Sequence, residues 1–279
     1  ASFADAFAAA AGPGHDLLYD QSDNVTTLRG VNSQEYESGL SAYDSQAADD
    51  FTVPEEDGSW TVYTVEAFGD YKNNNGPEGY APAVNVYFYG DGKGLPGTAV
   101  YTAEGLQPTF DYDGSFIIEL PMPALLAPGT YWFSMQVDMD VNLGGQWFWY
   151  ERTEQTGYEF AWRNPGGAFN KPCLQWGSSG SCGFDQPDLG FRLAGKRDEC
   201  RPQNIAWLTL PKANGIVNSD SKGDSPLLFD STGLAVGSYQ GQLCLISNDP
   251  AQPVREIPLE MSVQEAAEFV VFLPMIAGR

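Results

Sequence analysis

A single histidine, His15, occurs in 279 residues. That scarcity removes the usual nucleophilic hydrolases, because a Ser–His–Asp or Cys–His arrangement needs an imidazole as general base. His15 sits in GPGHD beside an Ala-rich stretch, where the expectation is an ordinary loop histidine. Positive charge is also scarce: 14 Lys+Arg stand against 37 Asp+Glu, a formal net charge of -23. Such a field repels phosphate backbones and anionic headgroups, so no nucleic acid partner is expected. No apolar run approaches the ~20 residues that span a bilayer, so no membrane insertion is expected either. CxxC is absent, and with one histidine the four cysteines make a poor zinc site. Amphipathic helix periodicity is missing beyond the first dozen residues.

What is present points to strands. Aromatics reach 13% while charged residues reach only 18%, a balance that sets the chain apart from disordered acidic tails. Thirty-one glycines and 19 prolines are spread along it, as short strands joined by tight turns require. LLYDQ, GSWTVYTVEAFGDY, VNVYFYGDG, TAVYTAEGL, SFIIELP, GTYWFSMQVDMD and QWFWYER alternate apolar and polar positions or form short apolar runs. Turn signals separate them. The fold class expected is all-β: a jelly-roll-like antiparallel β-sandwich over 16–196, after an N-terminal arm or short helix over 1–15. The charged stretch GKRDECRP at 195–202 marks a boundary. Beyond it WLTLP, SPLLFDSTGL, GSYQGQLCLISNDP and REIPLEMSV give a smaller sandwich over 197–264, and 265–279 forms an apolar tail.

Four cysteines, Cys173, Cys182, Cys200 and Cys244, admit three disulfide connectivities. The local solution pairs Cys173 with Cys182 and Cys200 with Cys244. Structural disulfides imply an oxidising compartment, and a chain opening ASFADAFAAA without an initiator methionine reads as a mature secreted protein. The expected location is extracellular or at the cell surface.

Two segments resemble known modules. In DSTGLAVGSYQGQLCLISNDPAQPVREIPLEMSV, residues Gly237, Tyr239, Gly241, Ser247, Asn248, Asp249 and Pro250 carry a glycine–tyrosine–glycine, apolar strand, SNDP pattern. Residues 200–264 thereby resemble the small immunoglobulin-like modules appended to secreted bacterial proteins, including subtilisin-type peptidases. SQAADDFTVP, LAPGTYWFSMQ, GGQWFWYERT, AWRNPGGAF, CLQWGSSGSCGF and PDLGFRL resemble β-sandwich domains of unassigned function in large secreted bacterial proteins. The second likeness spans about 45–195. Both imply fold and compartment, and neither implies an activity.

The chemistry on offer is thin. Asp49 with Asp50, Glu55 with Glu56, or Glu151 with Glu154 supply paired carboxylates of the kind glycosidases use, yet 37 acids bring some together by chance. DMDVN places Asp138, Asp140 and Asn142 at alternate positions. On a strand these put three oxygen ligands on one face, and in a loop they could wrap a cation, a candidate structural calcium site; the competing reading is a plain polar face. In QWFWY, Trp147 and Trp149 share one face of a strand with Phe148 and Tyr150 on the other. The tryptophans are the candidate platform for an extracellular glycan, against a core-packing alternative. Asn24-Val25-Thr26 is a lone glycosylation sequon. Finally, Phe269, Val270, Val271, Phe272, Leu273, Met275 and Ile276 form an apolar strand beyond the last domain. It needs a sheet edge, in its own chain or in a second copy.

The expectation drawn from all this is a non-catalytic secreted structural protein whose partner is itself, a homopolymer assembled into a filament, sheath or surface layer. The alternative is a carbohydrate-binding or accessory module of a secreted hydrolase. No cofactor is expected beyond the candidate calcium.

Overall fold

Alternating β-branched and aromatic residues turn the larger part of the chain into antiparallel strands, because one face of each must be buried against a second layer. The computed structural model describes residues 3–73, 83–197, 205–212, 217, 221–246 and 254–265. In chain order the first elements are α1 (Phe3–Ala11), β1 (Asp16–Gln21), β2 (Val25–Asn32), β3 (Gln34–Glu35), β4 (Gln46–Val53), β5 (Trp60–Ala67) and β6 (Gly69–Lys72). There follow β7 (Ala83–Asp91), β8 (Pro96–Leu106), β9 (Phe110–Tyr112), β10 (Ser115–Leu126) and β11 (Gly129–Asp138). A one-turn helix, α2 (Val141–Gly144), then leads to β12 (Gln146–Arg152), β13 (Ala161–Arg163), β14 (Gly177–Ser178), β15 (Asp188–Leu189) and β16 (Phe191–Arg197).

The chain divides into two compact units, residues 1–201 with 246–255, and residues 202–245 with 256–279. In the larger, one sheet runs β1-β16-β5-β10-β9 and another runs β14-β13-β4-β11-β7-β8, with β3 parallel to β11. A smaller sheet orders β15-β12-β2, with β6 also paired to β12. The result is an all-β, sandwich-like unit. Its core is aromatic: the Phe51 ring stacks on Trp60 at 6.0 Å and meets Phe191 edge-on at 6.3 Å, while Phe133 lies 5.2 Å from Phe191. These pairs come from facing sheets, so one cluster of rings joins the layers.

Of the two conformations open to the Ala-rich N-terminal stretch, the helix forms. Phe7 and Ala11 are buried against Ile117 of β10 and Ala194 of β16. The helix therefore covers the outer face of the first sheet, which explains why β5 is buried on nearly every residue rather than on alternate ones. Beneath it Arg192 stacks its guanidinium 4.5 Å from the Phe7 ring and pairs with the buried Glu66.

The smaller unit contains β17 (Leu208–Thr209) paired with β18 (Leu228–Phe229), and β19 (Gly237–Ile246) paired with β20 (Val254–Val263). Trp207 is its one buried hydrophobic residue among those described, stacked at 5.7 Å on Phe229. Among the described residues no helix is long and apolar enough to cross a membrane.

Candidate binding groove and buried carboxylates

β12 decides which aromatic residues can meet a ligand. Its alternation puts Trp147 and Trp149 inward, both 0% exposed. Each indole N–H donates to a backbone carbonyl, Trp147 to Gly114 O at 2.7 Å and Trp149 to Gly190 O at 2.7 Å. Neighbouring Gly69 is required for this packing, since a Cβ there would lie 2.5 Å from Trp147 Nε1. The expected glycan platform at Trp147 and Trp149 is thus corrected: a ring with both faces packed and its N–H satisfied has nothing to offer a sugar.

The opposite face of the same strand is open. Phe148 and Tyr150 point outward and line a groove of about 360 Å³ with Leu28, Lys72, Phe184 and Asp185. Leu28, on β2, is 92% exposed, an aliphatic side chain at the groove's edge. Burial and the neighbouring carboxylates of Asp70 and Asp113 push the Tyr150 hydroxyl up to about 12, so it is a neutral donor. Opposite lies the segment just after the Cys173–Cys182 disulfide, which closes a short loop with a Cα–Cα distance of 5.4 Å. The Lys171 ammonium donates to Cys182 O at 3.2 Å and Gly183 O at 2.9 Å, and sits 3.7 Å from the Phe184 ring centre. That wall is therefore held in place before any ligand arrives. Groove-lining Phe184 and Leu28 escaped the sequence reading, since neither belongs to a periodic aromatic pattern.

A cluster of acids adjoins the groove, and one of them, Glu151, is among its lining residues. Asp49 and Asp50 of β4, Glu151 of β12 and Asp188 of β15 are all buried, with Arg152 beside them. Asp49 Oδ2 accepts from Gln21 Nε2 at 2.7 Å and from Leu189 N at 2.8 Å, and Oδ1 accepts from Asp50 N at 3.0 Å. Asp188 Oδ2 accepts from Arg152 Nη1 at 3.3 Å and from Thr156 N at 2.5 Å. Arg152 also reaches Asp23 Oδ1 at 2.9 Å. Burial, then the charge of Asp188, holds the Asp49 carboxyl well above the usual range. Burial likewise lifts Asp188 to about 7 and Asp50 to about 6. The adjacent acids read from the sequence as a chance pair are a buried network, and their inaccessibility removes them as glycosidase carboxylates. Glu55 and Glu56 lie on an exposed 3-10 turn, and Glu154 is exposed.

The alternation expected of Asp138, Asp140 and Asn142 does not hold. β11 ends at Asp138, and Asp140 caps α2, its Oδ1 accepting from Asn142 N at 2.7 Å. A carboxylate spent on a cap and a residue inside a helical turn do not converge as a strand face would, which corrects the calcium geometry. Among the described residues no group of three or more acids, histidines or cysteines is arranged to hold a metal ion. His15 stacks on Tyr63 at 4.3 Å, a packing role. Of the other disulfide partners expected, Cys244 is disulfide-bonded, and Cys200 lies outside the described residues. So does the apolar tail Phe269–Ile276. No family model, curated protein or solved structure matches this chain.

Proposed function

We propose that the larger unit is a non-catalytic carbohydrate-binding module of a secreted protein, taking a glycan in the groove along the outer face of β12. The observation that carries this reading is the groove lining itself: Phe148 and Tyr150 supply ring surface for the apolar faces of sugars, Phe184 an apolar wall, and Thr27, Lys72 and Asp185 polar edges. Sites of this size are usually apolar in body with a few placed polar groups. The Cys173–Cys182 bond supports an oxidising, extracellular location. The likeness of residues 200–264 to immunoglobulin-like modules supports an accessory role for the second unit. Self-assembly through the tail is the other reading of the sequence, and its apolar residues Phe269–Ile276 lie outside the described residues.

The test is calorimetry against a panel of soluble neutral oligosaccharides and polysaccharides. A glycan should bind the native chain, and Tyr150→Ala should weaken it at least about tenfold, roughly 1.4 kcal/mol, with the melting temperature little changed. If no member of the panel binds, or if binding survives Tyr150→Ala and Phe148→Ala together, the proposal fails.

A further inference from the structure

A different face of the larger unit carries a second arrangement of rings around a cation. On the outer side of the β4–β11–β7 sheet, Tyr87 stacks on Tyr89 at 5.8 Å, and Trp176 meets Tyr89 edge-on at 5.8 Å. The Arg163 guanidinium lies over Trp176, 4.6 Å from the ring centre. Arg163 and Gln46 are cross-strand partners on β13 and β4. Gln46 Oε1 accepts from Arg163 Nη2 at 2.6 Å and from Nε at 3.1 Å, fixing one edge of the fork. The amide nitrogen of Gln46 is in turn held by Tyr89 Oη at 2.9 Å and Ser134 Oγ at 3.0 Å, so the holder is itself positioned.

What sets Arg163 apart is charge. Arg152, Arg192 and Arg197 each pair with carboxylates. Arg163 has no carboxylate within salt-bridge distance among the described residues, in a chain with 37 acids. Its Nη1 has no hydrogen-bond partner among the described residues, and Arg163 lines a pocket of about 120 Å³ with Asp44, Ser45, Tyr87 and Gln136. Asp44 turns its Oδ1 to Tyr36 N at 2.8 Å. At a third of the groove's volume, the pocket suits the charged end of a ligand rather than a whole chain.

We propose that Arg163 and Tyr87 line a second saccharide subsite, specific for a sugar that bears a carboxylate, such as a uronic acid, with Trp176 backing the guanidinium. The open edge of the guanidinium takes the carboxylate, and the Tyr87 ring flanks the sugar. A planar fork with one edge already fixed is suited to carboxylate geometry in a way that a lysine is not. The net charge of -23 opposes polymers with a charge on every sugar, so the subsite suits an isolated uronate in a largely neutral glycan. This inference is independent of the β12 groove.

The experiment is NMR titration of the native chain at physiological salt, where screening acts within about 8 Å. The side-chain N–H signals of Arg163 and Trp176 are followed with sodium D-glucuronate, D-glucose and sodium acetate as probes. The expected result is saturable perturbation by glucuronate at a concentration at least about tenfold below that needed with glucose or acetate. Arg163→Lys should lose that advantage, while Tyr150→Ala should leave it intact, so the two sites succeed or fail separately. A response to glucuronate no stronger than that to acetate, or to glucose, overturns the proposal, as does no response. The titration of the native chain decides the matter even if Arg163→Lys does not fold.

Discussion

Asp49 and Asp188 show how one residue type is used in two opposite ways in this chain. Most acids among the described residues are at least partly exposed, but these two are 0% exposed, with Arg152 the one basic side chain in their hydrogen-bond network among the described residues. Their folded-state affinity for protons is raised, with Asp188 lifted to about 7, whereas an aspartate in the unfolded chain titrates near about 3.9. Folding therefore takes up protons between those values. The contribution of the pair to stability is full below about pH 4 and is lost as pH rises towards about 7. Asp49→Asn removes one of the two titrating carboxyls and relieves Asp188 of a carboxylate neighbour. Urea denaturation of the native chain at pH 4.5, 6 and 7.5 should show stability falling with pH, and the slope should flatten in the variant. General self-repulsion at high net charge predicts an equal slope in both, so an unchanged slope would rule out the pair as its source. The two faces of β12 give a parallel contrast. Trp147→Ala empties a fully buried site and should cost about 3–5 kcal/mol, whereas Tyr150→Ala, on the open face, should alter binding far more than melting.

At the scale of elements, the loop closed by Cys173 and Cys182 connects the two candidate sites. Trp176 lies within it, Phe184 just beyond it, and Gly177 packs so closely that a Cβ would lie 2.5 Å from Cys173 Sγ. Reduction, or Cys173→Ala with Cys182→Ala, should lower stability by about 3 kcal/mol and weaken binding at both the groove and the Arg163 pocket. Melting and titration with and without reductant measure this, and binding that outlasts the bond would mean the walls are positioned without it. Much of this level was legible in the sequence. QWFWY announced a strand with aromatics on both faces, and period two correctly grouped Trp147 with Trp149 and Phe148 with Tyr150. Which face turns inward was not legible, because a pattern apolar on both sides is symmetric until a second layer covers one of them. QAADDFTV was harder still: two adjacent acids argue for a surface, and only the approach of β15, Gln21 and Arg152 makes burial tolerable. DMDVN misled for a local reason, since Asp140 prefers to cap the turn that comes after it.

For the whole molecule, the two units differ in how much each has to hold it together. The larger joins its sheets through a continuous aromatic core, and α1 closes an outer face with Phe7 and Ala11. Among the described residues of the smaller, Trp207 is the one buried hydrophobic side chain, and Leu228, Phe229 and Leu245 are exposed. A small unit buries a smaller share of its surface and is correspondingly marginal, and a disulfide-bonded Cys244 is the kind of support such units rely on. Chemical denaturation should therefore show two transitions. The first should be assignable to Trp207 fluorescence, and the second to the far more numerous tryptophans of the larger unit. Adding reductant should move the first transition to lower denaturant by removing the link at Cys244, and the second by removing Cys173–Cys182. Phe7→Ala should move only the second, by about 3 kcal/mol, because it packs on Ile117, Ala194 and Arg192 of the larger unit. A single cooperative transition that Phe7→Ala shifts as one would mean that the units unfold together, and the groove would then depend on the second unit for its stability.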